Sequence, residues 1–308
     1  MGLELAQLIK MQGVMFLLML LGLILRRKGL LTSEGKKILS DLMIYIIIPC
    51  NVVHAFGLVR PENFLTDFGG LLLIAVISLA ACALLGALLY RKNAPDRRHI
   101  LQYATVASNA GFMGNAIVDG VFGPLGLVYT SVFLVPMRMF MWSIGISYFT
   151  QIKDPRQALK KGLTHPCILG VFAGAALLVS GVSLPSVIDL AVTNLSNCCT
   201  PISMLVIGSI LVEVDFRSVF EPTALLYSLL RLVVLPLLLL GVCLLFDVDS
   251  LVTGIAVLLT GMPAPATTAI LAAKYGGDEV FATKLVVLST ALSVVTVPLL
   301  GLLLIYFL

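Results

Sequence analysis

Apolar residues dominate this chain in long runs, separated by short polar or basic connections. A run of about 20 apolar residues is long enough to cross the ~30 Å hydrocarbon core of a bilayer as a helix. On that criterion spans fall near 6–25, 38–57, 68–90, 99–121, 125–149, 165–182, 185–212, 219–246, 251–274 and 280–307. The pattern predicts an all-α integral membrane protein of about ten transmembrane helices. Several runs exceed that length, which tilt or an internal break accommodates.

Two of these runs are interrupted at matching places. Around residue 110 the sequence reads Ser108-Asn109-Ala110-Gly111-Phe112-Met113-Gly114-Asn115-Ala116, and around residue 263 it reads Gly261-Met262-Pro263-Ala264-Pro265-Ala266-Thr267-Thr268. Each break is followed by an apolar run and an aromatic-glycine pair, Phe122-Gly123 and Tyr275-Gly276, whose aromatic residues lie 153 positions apart. Pro49 and Pro201 interrupt two other runs at an offset of 152 positions. An offset kept across both landmarks predicts an internal duplication, with repeats over 1–152 and 153–308 forming one integrated membrane domain. Five spans per repeat is an odd number, so the second repeat enters the membrane inverted. Interrupted helices at corresponding positions of two inverted halves point to a transporter's binding site.

Composition agrees with the spans: 59% of the 308 residues are hydrophobic and 12% charged, against about 25% charged in a soluble domain. The net charge of +4 is explained by loop charge, without a nucleic-acid partner. Lys and Arg concentrate in the first, third and fifth connections (Arg26, Arg27, Lys28, Lys36, Lys37; Arg91, Lys92, Arg97, Arg98; Lys153, Arg156, Lys160, Lys161), whereas the second holds only Arg60. Positive loops favour the cytoplasm, which predicts a cell (inner or plasma) membrane protein with both termini extracytoplasmic. The first run is followed by Arg26-Arg27-Lys28 and not by a small-residue cleavage site, so it reads as a span. The six cysteines lack ligand spacing and suit packing better than a metal or disulfide framework.

The breaks carry the candidate chemistry. Backbone groups freed inside hydrocarbon are costly unless protein or a water-filled cavity satisfies them. Gly111 and Gly114 loosen span four, and Pro263 and Pro265 cannot both continue a helical ladder in span nine. Both breaks fall about 10–12 residues into their spans, about 15–18 Å deep. If they cross there, two half-helix N-termini face a shared volume and favour an anion. Asn109, Asn115, Thr267 and Thr268 supply side-chain dipoles, with Asn51, Thr200 and Ser203 beside the second proline pair as further contacts. Packing kinks are the competing account, and they weigh more for Pro49 and Pro201 than for the two central breaks. Arg138 and Arg231 stand deep inside apolar runs, where a charge costs about 2.5–3.5 kcal/mol. They are read as contacts for an anionic substrate, against a structural ion pair, for example with Asp119. Asp119 itself is a coupling or outer-vestibule residue. His54 and His165 lie near span ends, where an interfacial position is expected.

Asn109-Ala-Gly-Phe-Met-Gly114 with Phe122-Gly123 resembles the fourth-helix crossover of the auxin efflux carrier family. Met262-Pro263, Leu271-Ala-Ala-Lys-Tyr275-Gly276 and Leu288-Ser289-Thr290-Ala-Leu-Ser293-Val-Val-Thr296-Val-Pro298 resemble its ninth-helix crossover and tenth helix. The short fifth connection resembles the prokaryotic branch. The resemblance covers essentially the whole chain and implies two inverted five-helix repeats with broken, crossing helices four and nine. It also implies secondary transport of small organic anions, malonate- or malate-like or auxin-like. It leaves open a proton or a sodium ion as coupling partner, and a homodimer; no cofactor is implied. Three departures fall near the expected site: Asn115-Ala116 where the family often has proline, Thr267-Thr268 where it often has asparagine, and Arg138 where a neutral residue is common. The related bile-acid/sodium symporters offer an alternative, sodium-coupled transport of a larger amphipathic anion. A channel or a membrane-embedded sensor is the alternative from another class. No His-Glu-x-x-His or paired intramembrane Asp occurs, so an enzyme is not expected.

Overall fold

The computed structural model describes residues 5–58, 64–111, 113–142, 144–149, 164, 166–210, 212, 219–275 and 277–307. The basic fifth connection at 151–163, with Phe112, His165, Gly276 and Arg60, lies outside the described residues. Among the described residues every regular element is helical. In chain order these are α1 Leu5–Arg27, α2 Ser33–Leu42, α3 Ile48–Leu58, α4 Phe64–Leu89, α5 Pro95–Val106, α6 Met113–Trp142 and α7 Ile144–Ser147. There follow α8 Pro166–Ser180, α9 Ser186–Asn197, α10 Cys199–Ile210, α11 Pro222–Leu229, α12 Leu235–Leu245, α13 Ser250–Thr260, α14 Thr267–Tyr275 and α15 Glu279–Phe307.

Local chemistry sets the interruptions. Pro95 opens α5, where its missing N–H costs nothing. Asp249 caps α13 by accepting from the Leu251 and Val252 amides, and Asp278 accepts from Phe281 N at the start of α15. Two π-helical turns, Met43–Ile47 and Leu230–Val234, each end two residues before a proline, Pro49 and Pro236. A proline removes one ladder bond and crowds the carbonyl four residues back, and the wider turn absorbs both effects. Spans four and five, expected as separate, meet without a loop. The chain turns at Gly123 (φ 63°), a left-handed conformation that favours glycine, and a second helical run begins at Pro124.

Among the described residues six helical stretches are long and apolar enough to cross a membrane by length and composition: Ser33–His54, Gly69–Leu89, Pro95–Met141, Ser186–Ser209, Pro222–Leu245 and Glu279–Phe307. Large apolar side chains such as Leu17, Leu73, Leu84, Phe172, Val179 and Leu245 are exposed on the outside, as a hydrocarbon-facing surface requires. The interior holds the polar residues Asn51, Asn109, Asn115, Arg138 and Arg231.

Packing interleaves the two sequence halves. Helix α1 runs along α10, while α8 and α9 pack on α3. The first contact is so close that a Cβ on Gly208 would strike the Met19 carbonyl, and one on Gly22 the Leu205 backbone. A second group contains α4, α5, α6 and α11 to α15, with α13 packed on α6 and α14 on α15. The groups touch where α3 and α10 meet α6 and where α1 meets α15. At one end Arg97 bridges Glu221 and Asp278, the latter at 3.0 Å, and stacks over Phe281 at 4.6 Å. That cluster brings the starts of α5, α11 and α15 together at one end.

Candidate functional site

The two broken helices meet. Helix α5 stops at Val106 and α13 at Thr260, and each leaves C-terminal carbonyls without helical partners. Ala104 O accepts from Tyr227 Oη at 2.9 Å, and Leu259 O from Ser108 Oγ at 3.4 Å. Between the breaks, Asn109 N donates to Pro263 O at 2.8 Å. Ala264 N donates to Ser289 Oγ at 3.1 Å, while Pro263 and Pro265 bring no donors to satisfy. Gly114 makes the approach feasible: a Cβ there would lie 2.8 Å from Leu259 Cδ2 and 3.4 Å from Met262 Cγ.

Arg231 joins the two breaks through its guanidinium. Nε donates to Met262 O at 3.0 Å and Nη1 to Thr105 O at 2.7 Å, with the residue 2% exposed. An ion pair with a carboxylate was one expectation for this arginine. Among the described residues its partners are instead the carbonyl ends of two half-helices. Each helix C-terminus carries about −0.5 charge, so the guanidinium offsets two of them. The N-termini at Met113 and Thr267, each about +0.5, keep their charge, and the crossing is electropositive. Arg231 also borders a cavity of about 30 Å³ with Ser78, Cys82, Ser108 and Thr260.

A larger cavity, about 220 Å³, lies beside the first turns of α6. It brings Asn51 from α3 together with Asn115 and Asp119 from α6, three residues that sequence pattern nominated. His54, Ser196, Asn197 and Thr200 complete its polar lining. Asn51 Nδ2 donates to Ser196 Oγ at 3.0 Å, and His54 Nδ1 lies 3.0 Å from Thr193 Oγ1. The Asn115 side-chain oxygen is buried with no partner among the described residues, so a donor entering the cavity would satisfy it. Along the broken span Asp119 is 22 residues beyond Arg97, which sets this cavity toward the end opposite the Arg97 cluster.

The other nominated residues are placed differently. Asn109, Pro263 and Pro265 are buried in the crossing itself, and Gly111 is half-buried beside it. Thr267 Oγ1 meets Tyr103 Oη at 3.2 Å, whereas the buried Thr268 hydroxyl has no partner among the described residues. Ser203 is spent on the Thr200 carbonyl at 3.0 Å, and Arg138 is buried on α6 without lining either cavity. His54, expected at an interface, faces the larger cavity. Tyr103, Ser108, Tyr227 and Ser289 support the crossing and were not nominated. The serine-rich motif of the last helix was visible, but its contact with Ala264 joins positions 25 apart, beyond any local pattern.

The chain matches the family model described as membrane transport protein over residues 14–300. An uncharacterized transporter of Methanothermobacter thermautotrophicus is 28% identical over 294 residues, covering 92% of this chain and 93% of that protein. An uncharacterized transporter of Methanocaldococcus jannaschii is 23% identical over 302 residues, covering 94% and 96% respectively. The chain therefore belongs to this membrane transport family, that of the auxin efflux carriers its motifs resemble, and is a multi-pass membrane transporter, not an enzyme.

Proposed function

We propose that the protein is a secondary active transporter of small organic anions, working by alternating access around the crossing. The observation that carries this reading is Arg231, whose two bonds offset the C-terminal ends of the half-helices and leave the N-terminal ends positive. An anion is the ligand such a site favours, and Asn51 and Asn115 supply amide dipoles to orient it. A cavity of about 220 Å³ suits malonate or malate. It is below the ~300–1,000 Å³ of drug-sized ligand sites, which favours a small carboxylate over a bulky amphipathic anion.

The same reading has ten spans in two inverted repeats, 1–152 and 153–308. The matched offsets support it, as do α1 on α10 and α3 on α8, each pairing a first-repeat helix with a second-repeat one. The α1/α3/α8/α9/α10 group is the frame against which the crossing group rocks. Loop charge supports extracytoplasmic termini in the cell membrane, so the larger cavity faces outward and the Arg97 cluster closes the cytoplasmic end. The test is flux of labelled malonate, malate and benzoate into proteoliposomes under imposed gradients. Gradient-dependent flux of at least one is expected; correctly inserted protein that moves none of them contradicts the proposal.

A further inference from the structure

The larger cavity poses a charge problem for an anion carrier. Asp119 from α6 is exposed to that cavity, and His54 from α3 lines it too. Among the described residues the cavity lining contains no Lys or Arg, and its remaining titratable group is the Cys199 thiol. The described charged groups on the elements packed around α3 and α6 lie elsewhere. Lys10 on α1, Asp189 on α9 and Asp249 at the start of α13 are exposed outside the cavity, while Arg26 and Arg27 end α1 on the side away from it. Arg138, on α6 itself, is buried away from this lining. A substrate carboxylate entering here meets the Asp119 carboxylate in a confined space, and the repulsion grows as water is displaced.

Resting on the carrier reading, we propose that Asp119 and His54 form a proton-binding site that takes up one proton with each substrate molecule. The step balances: an Asp119 carboxylate, one proton and one substrate carboxylate become a protonated pair beside a bound anion, and the cavity's net charge is unchanged. Protonated Asp119 then turns from a repelling acceptor into an O–H donor toward the substrate. His54 lines the same cavity as Asp119 and is held at one ring nitrogen by Thr193, which places it to share the proton there. Substrate-free return requires release of that proton, and this links the two fluxes.

The experiment uses wild-type protein in proteoliposomes loaded with a pH-sensitive dye, with malonate, malate and benzoate as probes. Substrate influx is expected to carry protons inward at one per substrate molecule. A gradient of one pH unit, acid outside, then gives about tenfold accumulation of a monocarboxylate. In D119N that accumulation is lost, and exchange of labelled for unlabelled substrate becomes independent of pH between about pH 5 and 8. H54Q shifts the pH profile of exchange, and an unmoved profile overturns its share in the site. Wild-type flux without proton movement, or flux that follows a sodium gradient instead, overturns the proposal and leaves the carrier reading intact. Absence of flux for every probe under every gradient overturns the carrier reading itself.

Discussion

The two breaks do the same geometric job with different chemistry. The first, at 107–112, is loosened by glycine and continues into Asn115 and Asp119, which line a polar cavity. The second, at 261–266, is stiffened by Pro263 and Pro265, is buried throughout, and continues into Thr268, whose hydroxyl is enclosed without a partner among the described residues. The first half-site therefore opens on the cavity, whereas the second is enclosed by buried side chains, so matching sequence breaks do not dictate matching surroundings. Under the proposed alternating access the two would open in turn.

The comparison is broken most severely by removing the residue both breaks share. Arg231→Met leaves Thr105 O and Met262 O buried without donors, at about 1–3 kcal/mol each. The thermal unfolding midpoint in detergent is expected to fall furthest of all variants described here. Arg231→Lys recovers part of the loss, because an ammonium lacks the fixed fork that reaches two carbonyls. An unchanged midpoint in the methionine variant would mean the breaks hold without it.

Each break has its own strut. Gly114→Ala pushes a methyl between Leu259 and Met262 and is expected to cost about 1–3 kcal/mol by overpacking. Ser289→Ala strands the Ala264 amide at a comparable cost, about 1–3 kcal/mol. Denaturation of the two variants singly and together sharpens the comparison. The struts lie on one crossing, so the double variant is expected to depart from additivity by about 0.5 kcal/mol or more.

Smaller effects separate the open half-site from the closed one. Asn115→Ala is expected to weaken malonate binding about five- to tenfold, the equivalent of one neutral hydrogen bond of about 1–1.5 kcal/mol, as read by calorimetry. Thr268→Val keeps the shape and removes a buried hydroxyl without a partner. It is expected to leave malonate affinity from the open side unchanged while slowing net flux, if that hydroxyl meets substrate only when the second half-site opens. Equal flux in Thr268→Val and wild type would assign Thr268 to packing.

Much of this arrangement was legible in the sequence. The helices lie where the apolar runs do, and both breaks occur within a few residues of Gly111 and Pro263, because glycine and proline act locally on the backbone. Asn51, Asn115 and Asp119 were nominated and share one cavity. What the sequence hid depends on contacts between distant helices. Arg231 was recognised as costly in its apolar run, but that its partners are carbonyls at Thr105 and Met262 depends on how α5 and α13 end beside it. His54 looked interfacial because it lies near a span end, and only the fold sets it in the cavity that Asp119 also lines. Spans four and five divide where the pattern separates them, at the non-helical Gly123, but hydropathy could not show that the division is a tight turn and not a loop.

The central claim is that the crossing is an electropositive site for a small carboxylate. Its most direct test is a thermal-shift titration of the purified protein with malonate and, in parallel, its uncharged analogue malonamide. The account predicts a rise in unfolding temperature that grows with malonate concentration, by about 2.7 kcal/mol of stabilisation at a hundred times the dissociation constant, with little response to malonamide. Equal stabilisation by both compounds, or none by malonate, malate or benzoate at any concentration, would contradict it.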